Sequence, residues 1–301
     1  MGGCVVRPAV MRRLLRTCCI SCVFSATVAM AIDLDALWQF DDPARSEERF
    51  RAALTQASGD DALILQTQIA RTYGLRREFE RARTILAEIA PRIEAAGPQA
   101  QTRYWLELGR TEVSAVHDDK QRTPAAVEHA RSAYQHAIEI ARAASLDALQ
   151  IDAMHMMAFV DRDPADSLRW AREALAVALA SDQPAARRWE AALRNNVGYA
   201  LHQLGRHEES LTEFQLALAA REQKGSAVDV RIARWMVALA LRHLGRFEEA
   251  RDIQLRLERE WDEAGEPDPY VYEELEQIYR ALGDKVRAAH YATKLKASRS
   301  R

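Results

Sequence analysis

The stretch Ala200-Leu-His-Gln-Leu-Gly-Arg-His-Glu-Glu-Ser210 recurs as Ala240-Leu-Arg-His-Leu-Gly-Arg-Phe-Glu-Glu-Ala250, and more loosely as Arg280-Ala-Leu-Gly-Asp-Lys-Val-Arg-Ala-Ala289. Self-similarity at a fixed period of roughly 20 to 50 residues is the mark of stacked units rather than of one globular core. The glycines Gly205, Gly245 and Gly283 are spaced 40 and then 38 residues apart, each after one apolar helical pattern and before another. A helix is therefore expected to end at each glycine, where a left-handed residue carries no Cβ penalty. The next helix starts within about three residues, where Glu208-Glu209 or Glu248-Glu249 complements the positive end of its dipole. Each such hairpin leaves one apolar face open, and the next unit in the stack covers it.

Composition agrees. Of 301 residues, 48% are hydrophobic and 29% charged, which excludes a disordered tail, and aromatics at 7% make a turn-rich sheet sandwich a poor fit. The formal charge of −2 supplies no bulk basic field for nucleic acid. No apolar run reaches the ~18 residues of a membrane helix. Pro43, Pro91, Pro98, Pro124, Pro164, Pro184, Pro267 and Pro269 are all expected between helical runs.

Residues 1–31 differ from the rest. All four cysteines (Cys4, Cys18, Cys19 and Cys22) lie there, so no disulfide framework or cysteine zinc site is expected in the body of the chain. Met11-Arg12-Arg13-Leu14-Leu15-Arg16, the apolar stretch Cys18 to Val28 and Ala29-Met30-Ala31 together read as a secretory signal over 11–31. The alternative is a natural start at Met30 and a mis-assigned upstream segment. The latter reading is favoured and places the protein in the cytoplasm; the former places it in a periplasm or outside the cell. Residues 32–61 read as a capping segment and helix, 62–297 as the repeat domain and 298–301 as a tail. Trp38 and Phe40 are expected to cover the open end of the first repeat.

The repeated residues resemble the tetratricopeptide (TPR) repeats. Val197-Gly198, Leu201, Gly205, Ser210, Phe214 and Ala217 follow that family's order of large apolar, small, turn glycine, small, aromatic and small. Val237-Ala238, Leu241, Gly245, Ala250 and Leu257 follow it with Gln254 in place of the aromatic, and Leu275, Tyr279, Gly283, Ala288 and Leu295 follow it with Glu276 at the small position. Fainter copies are Ile69-Ala70, Tyr73, Phe79, Ala82 and Leu86; Leu108-Gly109 with Ala130, Tyr134 and Ala137; and Met154, Ala158, Ser167 and Ala174. The second of these carries an insertion from Ser114 to Thr123. The resemblance implies an all-α fold, a right-handed α-solenoid of about six antiparallel helix-turn-helix repeats, with periods longer than the family's usual 34 or so.

Catalytic and metal motifs are missing. There is no Walker loop, dinucleotide fingerprint, nucleophile elbow or HExxH sequence. His129 and His136 are too far apart for i,i+4 chelation, and His155 within Met154-His-Met-Met157 reads as core filler rather than a soft metal site. Asp161 and Asp163 precede Pro164 and read as a loop and helix cap, and Asp118-Asp119 as solvated. No acid, base and nucleophile converge, so no catalytic residue, cofactor or metal is assigned and the chain is expected not to be an enzyme.

The resemblance also implies a concave groove lined by the first helix of each repeat. By register it carries Arg71; Arg103, Leu106 and Arg110; Asp152, Met156 and Phe159; Asn195, Tyr199 and His202; Trp235 and Arg242; and Glu273, Gln277 and Arg280. Arginine and aromatics are what binding hot spots favour. The competing readings are packing between repeats for Phe159, Met156 and Trp235, and ordinary ion pairing for single arginines. Some family members clamp a terminal carboxylate with Lys and Asn; Asn195 and Tyr199 stand at those positions here, with no lysine. The expected function is a non-enzymatic scaffold holding a peptide or partner domain, an acidic partner being one candidate. Reversing the charge of Arg110 and Arg242 is expected to weaken capture without unfolding the chain. The alternatives are a bacterial regulatory or peptide-responsive sensor acting in trans, or a periplasmic assembly factor if the N-terminus is a true signal.

Overall fold

A computed structural model describes residues 32–299 and contains, among them, fifteen helices and no strand. In chain order they are α1 (Leu34–Leu37), α2 (Pro43–Leu54), α3 (Gly59–Leu75), α4 (Phe79–Ile93) and α5 (Pro98–Glu112). Next come α6 (Pro124–Ala143), α7 (Asp147–Val160), α8 (Pro164–Ala180), α9 (Pro184–Arg187) and α10 (Glu190–Gln203). The last are α11 (His207–Lys224), α12 (Ala227–His243), α13 (Phe247–Glu263), α14 (Pro269–Ala281) and α15 (Lys285–Ser298). Six antiparallel hairpins follow, α3/α4, α5/α6, α7/α8, α10/α11, α12/α13 and α14/α15, stacked as an α-solenoid within the unit that begins at Leu34. The segment read as a signal or mis-assigned start, 1–31, lies outside the described residues.

Local chemistry sets the helix ends. Proline is the first residue of α2, α5, α6, α8, α9 and α14, where its missing N–H costs nothing. Asp42, Thr123, Asp163 and Asp268 cap four of those helices with side-chain oxygens. Pro91 is a correction: it lies inside α4 rather than between helices. It sits in the last turn with its ring exposed, so only one ladder bond is lost. At the hairpin turns Gly205, Gly245 and Gly283 have φ of 73°, 74° and 77°. Gly205 N–H donates to the His202 carbonyl and Arg206 N–H to that of Leu201, and the same pair of bonds closes the other two turns. In the first hairpin Arg77, at φ 64°, takes the glycine's place.

The helices of a hairpin meet through paired volumes sixteen residues apart. A Cβ added to Gly198 would lie 2.6 Å from the Phe214 ring, and one added to Gly109, whose hairpin carries the insertion, 2.5 Å from that of Tyr134. Both rings are fully buried. In the same register Ala70 stands with Leu86 and Ala238 with Gln254, so a larger residue on the first helix goes with a slimmer one on the second. Gln254 fits by volume and fails by polarity: its side chain is fully buried, and neither Oε1 nor Nε2 has a hydrogen-bond partner. Gln254→Leu, which copies the Ala70/Leu86 pair, is expected to stabilise the protein by about 1–3 kcal/mol. Urea denaturation monitored by circular dichroism should show the midpoint rising with the slope unchanged.

Trp38 stacks on Phe40 with centroids 4.6 Å apart, meets Phe50 edge-on, and donates from Nε1 to Gln68 Oε1 at 3.0 Å. The N-terminal segment thus covers the first hairpin at α3. It also crosses toward α9, where Arg188 donates to Asp35 Oδ2 at 3.0 Å.

Candidate functional site

Helices α3, α5 and α7 lie side by side, and an open cavity of about 250 Å³ sits between them. Its apolar wall includes Ala70, Leu75, Met156, Phe159 and Trp189, and the loop Ser114 to Val116 closes one edge. Its polar wall is a buried charge network. Arg110 Nη1 donates to Glu107 Oε1 and Nη2 to Asp152 Oδ1, each at 2.5 Å, joining α5 to α7. Arg71 on α3 is 3.9 Å from Glu107, and its guanidinium lies over the Trp38 and Phe40 rings at 5.4 and 5.5 Å. Arg103 stands one turn before Glu107 and interacts electrostatically with Arg71, Arg110, Glu107 and Asp152.

Three guanidiniums therefore share two carboxylates. Burial, and then the neighbouring charge of Arg110, hold Arg71 below the ordinary arginine value; burial, and then the charge of Arg71, do the same to Arg103. The Nε atoms of both are buried with no hydrogen-bond partner. Burial opposes ionisation of Asp152, but the charges of Arg110 and Arg71 outweigh it and hold the carboxyl below its usual range. Burial lowers the pKa of His155, and its Nδ1 lies 3.2 Å from Asn196 Nδ2.

The register argument thus places Arg71, Arg110, Asp152, Met156 and Phe159 on one cavity, with Arg103 in the same charge network. Leu106 instead packs into the core at 1% exposure. Register also passed over Glu107, His155 and Trp189. Glu107 was readable in principle, since it falls three residues before Arg110 and four after Arg103 on one helix face. The later residues are dispersed. Asn195 lines a separate cleft between α10, α11 and α12, and Tyr199 another beside Met154 and Arg162. Trp235 packs between the last two hairpins, and Gln277 and Arg280 are exposed, Arg280 paired with Glu276 at 2.6 Å. Arg242 holds Glu274, which is 4% exposed, through two bonds of 2.7 and 2.9 Å. The expectation that Arg110 and Arg242 can be charge-reversed without unfolding the chain is corrected: Arg110 bridges Glu107 and Asp152 and Arg242 holds Glu274, so reversal sets like charges together inside the fold.

His202 joins His207 and His243 instead of the cavity, with ring centroids 4.4 to 5.1 Å apart. Burial, then the neighbouring charge of Arg242, pulls His243 down to about 4. Among the described insertion residues, Asp118 and Asp119 are exposed, as expected. They accept from Arg77 and Arg162 on the flanking turns.

Residues 189–259 match the tetratricopeptide repeat family model. None of the curated proteins matches the sequence. Among solved structures, the chain is similar to a signal transduction ATPase with numerous domains that carries a tetratricopeptide repeat sensor, from Pyrococcus horikoshii. The TM-score is 0.65 at 13% identity, covering 85% of this chain and 39% of that one. It is also similar to the apo form of RapI (TM-score 0.68, 12% identity, 87% of this chain and 74% of that one). A Rap protein complexed with competence and sporulation factor gives a TM-score of 0.55 at 15% identity, covering 89% of this chain and 76% of the other. The chain thus spans well under half the length of the first of these and about three quarters of the Rap proteins. No helix among the described residues is long and apolar enough to cross a membrane. Six hairpins, glycine-closed turns and a family match over residues 189–259 together give the chain a TPR-like helical repeat fold.

Proposed function

We propose that the protein is a non-enzymatic scaffold that captures an acidic peptide in the cavity between α3, α5 and α7. The observation that carries this reading is the charge imbalance: Arg71 and Arg110 line the cavity with Glu107 and Asp152, Arg103 adds a third positive charge to the same network, and the Nε atoms of Arg71 and Arg103 are buried without partners. A carboxylate entering the cavity supplies the missing acceptor, and Met156, Phe159 and Trp189 give the adjoining residues an apolar wall. Similarity to a protein with a repeat sensor and to a Rap protein complexed with a factor favours a regulatory variant of the same role, in which the bound peptide changes how the scaffold meets a partner in trans. The reading keeps the protein in the cytoplasm; a native N-terminus at Met30 or Ala31 supports that, and one at Ile32 supports export.

Fluorescence polarisation with labelled hexapeptides tests the proposal. Peptides bearing Asp or Glu are expected to bind more tightly than their Asn or Gln counterparts, and free against amidated C-termini separate a side-chain carboxylate from a terminal one. Arg71→Gln is expected to weaken the acidic peptides about 10- to 100-fold, the worth of one charge-assisted hydrogen bond. Equal binding of acidic and neutral peptides, unaffected by that substitution, would overturn it.

A further inference from the structure

The hairpin turns of the fourth and fifth repeats converge on three imidazoles. His202 ends α10, His207 begins α11 and His243 ends α12, so three separate helices each contribute one ring. One nitrogen from each lies within 4.8 Å of the others. A tetrahedral Zn²⁺ with bonds of about 2.0–2.1 Å spaces its nitrogens about 3.3 Å apart, so modest side-chain rotation closes the set.

The Nδ1 atoms of His202 and His207 are buried with no hydrogen-bond partner, a cost that a bound cation removes. The repeat itself marks two of the three as departures. His207 stands where the next repeat has Phe247, and His243 where the preceding one has Gln203. Phe at position 207, as in the next repeat, would carry no ring nitrogen to leave unpaired. Arg242, the positive charge beside His202 and His243, is itself held by two bonds to Glu274.

We infer that His202, His207 and His243 form a binding site for a divalent transition cation, Zn²⁺ or one of similar imidazole preference, with a fourth position open. Bound there, the ion ties the ends of α10 and α12 to the start of α11 and locks the junction between two repeats.

Zn²⁺ titration by calorimetry of the full chain without a histidine tag tests the site. The comparison is with His207→Phe/His243→Gln, in which each residue is replaced by the one its neighbouring repeat carries. Both proteins keep Cys4, Cys18, Cys19 and Cys22, so any uptake by thiols is common to the two. The unaltered chain is expected to bind one more equivalent than the double variant, and its melting temperature is expected to rise with Zn²⁺ where that of the variant does not. If the double variant lacks native helix content, the single change at the exposed His243 reads the same loss, expected to be at least about tenfold in affinity. Equal stoichiometry and affinity in the unaltered and altered chains would overturn the assignment.

Discussion

Arg110→Met is expected to lower the unfolding free energy by about 3–5 kcal/mol, the cost of stripping the partner from a buried charge. The guanidinium bridges Glu107, 3% exposed, and Asp152, 14% exposed, and Met leaves those carboxylates facing one another with only the more distant Arg71 and Arg103 to offset them. Guanidinium denaturation at pH 7 measures the loss. Adding Glu107→Gln and Asp152→Asn to the same chain removes the stranded charges and is expected to recover most of it, because replacing a whole buried cluster is far cheaper than halving one. The pH dependence has a definite sign. Asp152 is held below its unfolded-state value, so its contribution is present above the ordinary aspartate range and fades as pH falls through the folded value. The gap between the two proteins should therefore narrow on acidification. A variant as stable as the original chain would mean that the ion pair does nothing for the fold.

That prediction departs from the one that sequence register supports, and the reason is physical. Register places a side chain on a face of its own helix and is blind to what another helix puts opposite. Arg110 and Arg242 were legible as first-helix positions, but Asp152 lies 42 residues after Arg110 and Glu274 lies 32 after Arg242. What repeats at short range was readable: glycines at the left-handed turns, prolines near the helix boundaries, and the order of small and aromatic residues along each hairpin. Pro91 was not, because a proline in a last turn and one just beyond it differ only in where neighbouring contacts end the helix. The three histidines were invisible for the same reason as the ion pairs, since the turns that hold them meet only once the repeats stack. The crossing of Asp35 to Arg188 spans 153 residues and has no local signature at all.

Acid titration is expected to expose a second large contribution, at the junction of the cap and the first repeat. Glu47 on α2 accepts from the Tyr73 hydroxyl at 2.6 Å, Arg51 Nε at 2.8 Å and Arg76 Nη2 at 2.5 Å. Burial alone would raise its pKa, but those three bonds and the charge of Arg76 overcome it and bring the carboxyl down to about 2. The folded value lies below the unfolded one, so the stabilisation is complete above the ordinary glutamate range near 4.5 and is lost as pH falls from there toward about 2. At about 1.4 kcal/mol per unit, and with some screening at this partly exposed side chain, the carboxylate contributes roughly 2–3 kcal/mol at neutral pH. Glu47→Gln should cost that much at pH 7 and almost nothing near pH 2. Tyr73→Phe should remove part of it, since the hydroxyl also accepts from Arg51 and Arg81. The measurement is denaturation of the original and altered chains at a series of pH values. The two stability curves should converge as the solution is acidified; parallel curves would show that the bonds to Glu47 exchange freely with water, and that the cap rests on Trp38 and Phe50 alone.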